Sequence, residues 1–267
     1  MSLTMDIHNI KDGSPKAAAS HHTPFDHGFL HSVESGAAVD GPGMRFVFFM
    51  AGCQFRCLYC HNPDTWKLHN GRRITLDDVI AEIKPYAGFL KFAGGVTISG
   101  GEPLMQAGFV GEMFRRIKQE FGLHTVLDTQ GFLHGNVEDS FFDNVDLVML
   151  DIKHFDPDTY KRLTAQPLQP TLDFAQRLKR LKKPMWLRYV LVPGWTDGAE
   201  DIARLADFAA DLGDIVKRVE VLPFHQMGTQ KWEQLGIEYK LKNYPTPTPE
   251  SVAQARTIFT DRGLMAV

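Results

Sequence analysis

Residues 46–61 read Phe46-Val-Phe-Phe-Met50-Ala-Gly-Cys53-Gln-Phe-Arg-Cys57-Leu-Tyr59-Cys60-His61, a short apolar run followed by three cysteines in eight residues. The run has the length and composition of a buried strand. It leads directly into a loop holding every cysteine of the 267-residue chain. The same apolar pattern predicts further strands at 95–99, 123–128, 145–151, 185–191 and 216–222. Helical spacing predicts helices over 76–89, 104–121, 137–143, 171–182, 200–212 and 249–262, with Thr75 before Asp77 and Asp78 as a helix start. Strands alternating with helices indicate βαβ units and a parallel sheet. Six units are too few for a closed eight-stranded barrel, which leaves an open, partial (β/α)6 barrel or a doubly wound sheet. No linker interrupts the alternation, so one α/β domain is expected over 28–267.

Residues 1 to about 24 are polar, short of large apolar residues and free of periodicity, and a flexible extension is expected over 1–27. Five of the eleven histidines fall in the first 31 residues, at positions 8, 21, 22, 27 and 31, which a solvated tail explains better than a metal site. The chain is 43% hydrophobic and 23% charged, with a net charge of −3. That balance gives no electrostatic case for nucleic acid. No apolar run approaches a membrane span, and the N-terminus lacks the apolar centre of a secretory signal. The cytoplasm is expected, where clustered cysteines bind metal or catalyse rather than form disulfides.

The polar residues of the pattern converge. The first strand runs into the cysteine loop and the second into Ser99-Gly-Gly-Glu102. The third ends at Asp128-Thr129 and the fourth at Asp151-Ile-Lys153. The fifth carries Arg188, and the sixth leads to Pro223-Phe-His225. Parallel α/β sheets and barrels place active sites at the carboxyl ends of their strands. Six strands thus deliver candidate residues to one rim.

Three chemistries compete for the cysteine loop. Cys57-Leu-Tyr-Cys60-His61 fits covalent haem attachment, but leaves Cys53 unexplained. Cys53, Cys57, Cys60 and His61 could ligate a structural zinc, though the loop would have to wrap the ion alone. An iron–sulfur cluster with three thiolate ligands would leave one iron open to a group that is not protein.

Cys53-x3-Cys57-x2-Cys60, with Tyr59 before the last cysteine, resembles the signature of radical S-adenosylmethionine enzymes, and Gly100-Gly101-Glu102 resembles their GGE motif. The partial (β/α)6 barrel is the usual fold of that superfamily. Further stretches resemble the glycyl-radical-enzyme activases, specifically the family that activates pyruvate formate-lyase. These are Asp40-Gly-Pro-Gly-Met-Arg45, Tyr59-Cys-His-Asn62, Leu127-Asp-Thr-Gln-Gly131 and Leu150-Asp-Ile-Lys153. Trp186-Leu-Arg-Tyr189, Val192-Pro-Gly-Trp195, Leu222-Pro-Phe-His225 and Lys231-Trp232 complete the set, and the match runs from about residue 28 to the C-terminus.

The resemblance implies a reaction. A reduced 4Fe–4S cluster passes one electron into S-adenosylmethionine, giving methionine and a 5′-deoxyadenosyl radical that takes a hydrogen from one glycine of the partner enzyme. It implies Cys53, Cys57 and Cys60 as cluster ligands. Tyr59, Cys60, His61, Gly101, Glu102, Asp151, Ile152, Lys153, Arg188 and His225 would contact S-adenosylmethionine, Arg188 by pairing with its carboxylate. Asp128, Thr129, Met149 and Asp151 would hold a monovalent cation. Asp40, Gly41, Pro42, Gly43 and Arg45 would guide the glycine-bearing loop of pyruvate formate-lyase. Electrons would come from a flavodoxin-like donor, and another glycyl radical enzyme is the alternative client. Activases of several other clients carry an inserted module with extra cysteine clusters, for which this chain has no ligands. Two positions depart from the family: Gln130 stands where Asn is common, and Thr229 where a basic residue is often found.

Overall fold

Phe46, Val47, Phe48 and Met50 are excluded from solvent in β2 (Met44–Met50), as a strand covered on both faces requires. The computed structural model describes residues 25–267; the remaining 24 residues, which carry most of the expected extension and the histidines at 8, 21 and 22, lie outside them. Parallel to β2 lie β4 (Gly94–Gly100), β5 (Thr125–Thr129), β6 (Leu147–Asp151), β7 (Met185–Leu191) and β8 (Val216–Pro223). These are the six predicted strands, joined in an open sheet whose end strands do not pair with each other. The fold is the expected α/β open partial barrel.

Two strands escaped the sequence reading. β1 (His27–Ala37) pairs antiparallel with β2, and β3 (Arg72–Thr75) pairs antiparallel with β1 at the sheet edge. Both are short of fully buried apolar residues, so neither shows the pattern of the central strands. β1 begins at His27, the last residue of the expected extension. His31 belongs to this strand, its ring nitrogens facing Ser32 Oγ at 2.9 Å and Asp64 Oδ2 at 2.8 Å.

The predicted helix over 76–89 is two helices. α1 (Leu76–Ile83) opens with a reciprocal capping box between Thr75 and Asp78. Pro85 follows it, and α2 (Ala87–Ala93) starts afresh, because proline lacks the N–H a continuing helix needs. α3 (Ala107–Phe121) ends at Gly122, whose φ of 62° is left-handed. α4 (Pro157–Thr164) was missed, although Asp156-Pro157 places an N-cap acceptor and an N1 proline at its start. α5 (Gln169–Arg180), α6 (Ala199–Asp211) and α8 (Pro249–Thr260) are as expected, α7 (Thr229–Gln234) was missed, and 137–143 gives only a 3₁₀ turn at Asp139–Asn144.

One apolar cluster runs through the sheet and its helices. A separate small one, Val126, Leu147, Met149 and Trp186, comes from β5, β6 and β7. Two residues further along each strand the same face turns polar, at Asp128, Asp151 and Arg188. Parallel register puts Asp151 opposite Arg188 and Arg188 opposite Glu220. The sheet therefore carries a polar band directly above an apolar floor.

Candidate active site

Above that band lies a cavity of about 500 Å³ lined by all three cysteines and by Tyr59, His61, Gly101, Asp128, Gln130, Asp151, Lys153, Arg188 and His225. The volume is in the range of small-molecule sites. Residues from the ends of β2, β4, β5, β6, β7 and β8 meet here, as their polarity predicted. Asp40 lines it too, from the turn before β2.

The cysteine loop is fastened on several sides. Gly52 N donates to Thr65 O at 2.6 Å, Cys53 N to Trp66 O at 3.1 Å, and Arg56 N and Leu58 N to the end of α4 at 2.9 Å each. Phe55 is fully buried against Phe132 and Tyr160. From α7, Trp232 Nε1 donates to Cys60 O at 2.8 Å and Lys231 Nζ to Asn62 Oδ1 at 2.8 Å. A Cβ at Gly228 would press on the backbone of Cys60 and His61, so that position needs a glycine. A Cβ at Gly101 would strike the Gly52 carbonyl, which gives this glycine a packing role. A Gly101→Ala variant is expected to lose about 1–3 kcal/mol by overpacking, which urea denaturation would measure.

Burial, reinforced by Glu102, pushes the Cys53 thiol up to about 11. Burial raises Cys57 as well, against the pull of Lys153, and it raises Cys60. Thiols held in this way are poor nucleophiles on their own. They would ionise on taking up a metal, and the cysteines form no disulfide. Three thiols on one loop facing one roomy cavity suit a cluster larger than a single ion.

Arg188 Nη1 lies 3.3 Å from Asp128 Oδ2, and its Nε 3.3 Å from Glu220 Oε2 but too far off line for a hydrogen bond. Burial opposes its charge, but Asp128 and its acidic neighbours outweigh burial and hold it firmly protonated. Lys153 Nζ pairs with Asp151 Oδ2 at 2.8 Å, and its pKa rises for the same reason despite burial. Asp128 is raised by burial, partly offset by Arg188; Oδ2 accepts from Ser99 Oγ at 2.6 Å and Oδ1 has no partner. Asp40 is raised by burial and then by Asp128. The His61 and His225 rings lie against each other, centroids 4.0 Å apart and planes tilted by 32°. Burial, then His225, lowers His61 to about 4, so its ring is neutral at pH 7.

Several expected site residues lie behind the wall. Glu102 is fully buried. Its Oε1 accepts from Thr129 Oγ1 at 2.7 Å and Leu104 N at 2.9 Å, its Oε2 from Gln130 N at 3.0 Å, and burial raises it to about 7. It braces the rim and is not among the residues that line the cavity. Ile152 is in the core, Met149 in the apolar floor, and Thr129 Oγ1 is spent on Glu102. Gly41, Pro42 and Gly43 do not line the cavity.

Arg45 is wholly inside rather than facing a partner. It donates to Thr97 Oγ1 at 2.6 Å, Val96 O at 2.6 Å, Pro42 O at 3.0 Å and His124 O at 3.2 Å, and so holds the Asp40–Gly43 turn from beneath. Replacing it by alanine is expected to destabilise the fold by about 3 kcal/mol or more, since several buried acceptors lose their donor; urea denaturation would measure this. Glu220 was missed by the sequence reading. Its signal was a lone acid inside the apolar strand Val219-Glu-Val-Leu222.

Residues 47–209 match the family described as the Radical SAM superfamily. A pyruvate formate-lyase-activating enzyme of Staphylococcus epidermidis is 46% identical over 239 residues, covering 85% of this chain and 93% of that protein. The enzyme of the same name from Staphylococcus aureus is 43% identical over 248 residues, covering 90% and 98%. A crystal structure of a domain of the pyruvate-formate lyase-activating enzyme from Bacteroides vulgatus superposes with a TM-score of 0.54 at 26% identity, over 66% of this chain and 98% of that one. Similarity over nearly the full length of such relatives, on a chain whose cysteine loop and polar strand ends share one cavity, places it in the radical SAM superfamily, as a member of the family of pyruvate formate-lyase-activating enzymes.

Proposed function

We propose that this enzyme installs a glycyl radical on pyruvate formate-lyase at the expense of S-adenosylmethionine. The observation that carries the reading is that all three cysteines open on one cavity with Lys153, Arg188 and the His61–His225 pair. Cys53, Cys57 and Cys60 would hold three irons of a 4Fe–4S cluster and leave the fourth for a ligand that is not protein. When bound, the cluster supplies the electron for reductive cleavage of S-adenosylmethionine, which creates the hydrogen acceptor for the partner's glycine. Arg188, only partly engaged by Asp128, keeps guanidinium donors for the methionine carboxylate. The paired rings of His61 and His225 would offer a flat face to the adenine, with Tyr59 and Lys153 beside them. Gly101 belongs to the same wall, set by its fit against Gly52.

Asp40, Asp128 and Asp151 line the cavity against Lys153 and Arg188, so carboxylates outnumber cationic side chains. That excess and the unpartnered Asp128 Oδ1 favour a monovalent cation between Asp128 and Asp151. Thr129 and Met149 could contribute only through main-chain oxygens. The Asp40–Gly43 turn, braced by Arg45, would guide the glycine-bearing loop, and a flavodoxin-like protein would supply electrons. No helix among the described residues is long and apolar enough to cross a membrane.

Reduced protein, S-adenosylmethionine and purified pyruvate formate-lyase, mixed without oxygen, should give a glycyl radical by electron paramagnetic resonance. Cleavage of S-adenosylmethionine without a radical on that partner would reject the client and point to another glycyl radical enzyme.

A further inference from the structure

We infer that Gln130 is a positioning residue that sets the redox poise of the cluster site through an N–H···S hydrogen bond to Cys53. The inference rests on the reading of Cys53, Cys57 and Cys60 as cluster ligands. Gln130 follows β5 and is only 6% exposed. Its Nε2 donates to Cys53 Sγ at 3.4 Å and to Gly101 O at 3.3 Å. Both ends of the residue are pinned. Gln130 N donates to the buried Glu102 carboxylate at 3.0 Å, and Gln130 O accepts from Thr171 Oγ1 at 2.9 Å. Thr171 in turn meets Tyr160 Oη at 3.0 Å. These bonds fix the main chain of Gln130, and the amide itself is held by Cys53 Sγ and Gly101 O.

Its orientation follows from chemistry. Exchanging the amide oxygen and nitrogen would set an acceptor against a sulfur and a carbonyl, which are acceptors themselves. In the orientation adopted, Oε1 is left buried without a partner. An orphaned buried acceptor costs stability, so the donors are turned toward Cys53 and Gly101 at a penalty. An N–H dipole aimed at a thiolate ligand favours the more negative redox state. Hydrogen bonds to ligand sulfurs are one of the levers by which proteins raise the potential of such centres. Gln130 makes and breaks no covalent bond. It adjusts how readily one electron is accepted from the flavodoxin-like donor.

The test compares anaerobically purified wild type with Gln130→Met, which keeps the length and removes the donor, and Gln130→Glu, which puts an acceptor in its place. At a fixed mediator potential, each variant with full iron content should show a reduced-to-oxidised ratio lower by several-fold, up to about tenfold, or 59 mV for a one-electron couple. Unchanged ratios in iron-replete variants would overturn the inference. A second measurement needs no altered fold. Reduced wild type grown with glutamine labelled with ¹⁵N at the side chain should show a ¹⁵N coupling to the cluster by pulsed electron paramagnetic resonance. Gln130→Met should lack it, and its absence from wild type would overturn the inference whether or not the variants fold. Wild type without iron would instead reject the cluster reading itself.

Discussion

A Cys57→Ser variant purified without oxygen is expected to carry almost no iron, against about four per chain in the unchanged protein, and to give no detectable glycyl radical. Cys57 is buried at the centre of the loop, and burial already disfavours its ionised form. Only the bond to a metal compensates for a thiolate there, and a serine hydroxyl ionises far less readily. The loss should not come from unfolding. The loop is fixed by main-chain bonds from Gly52, Cys53, Arg56 and Leu58 and by Trp232 Nε1, none of which uses a thiol. Far-ultraviolet circular dichroism should therefore match wild type while the iron is gone. Cys53→Ser and Cys60→Ser should behave alike. Retention of full iron by any of the three would remove that cysteine from the ligand set.

Arg188 gives the second large effect, and it divides into two measurable parts. In Arg188→Lys a compact ammonium replaces the planar fork. Loss of one charge-assisted hydrogen bond is worth about 1.5–3 kcal/mol, so S-adenosylmethionine should bind roughly 10- to 100-fold more weakly by anaerobic equilibrium dialysis. In Arg188→Met the charge itself is gone. Asp128 and Glu220 then face each other's field without compensation, a loss of about 3–5 kcal/mol for a buried pair. This second part depends on pH. Burial already raises both carboxyls above their unfolded values, and Arg188 is what pulls them back. Without it they rise further, so their stability contribution is present at low pH and lost as pH rises through the folded pKa values. The deficit of Arg188→Met against wild type should therefore shrink as pH falls from 8 toward 5. A deficit independent of pH would mean that lost packing, not lost charge, is responsible.

The sequence exposed the fold where burial was two-sided. β2 and β4 to β8 are apolar enough to stand out singly, and their polar last residues indicated the shared rim. β1 and β3 were illegible because their half-exposed residues resemble loop, and Pro85 hid the break between α1 and α2 inside one helical pattern. In the site, cysteine spacing was enough to nominate ligands. The charges that face the cavity, Asp128, Asp151, Lys153 and Arg188, were legible as strand-end residues, but how they pair was not, because pairing depends on register across strands. Arg45 and Glu102 sit in motif positions yet are spent inside the protein, while Glu220, outside every motif, reaches Arg188 through the β7–β8 pairing. Gln130 looked like a departure from family habit until its amide was found on Cys53.

Hydrogen transfer is the central claim, and isotope transfer tests it most directly. Pyruvate formate-lyase prepared with glycine deuterated at the α-carbon should be mixed, without oxygen, with the reduced enzyme and unlabelled S-adenosylmethionine. The account predicts 5′-deoxyadenosine carrying one deuterium, formed in proportion to the glycyl radical. Radical formation accompanied by 5′-deoxyadenosine free of deuterium would contradict it.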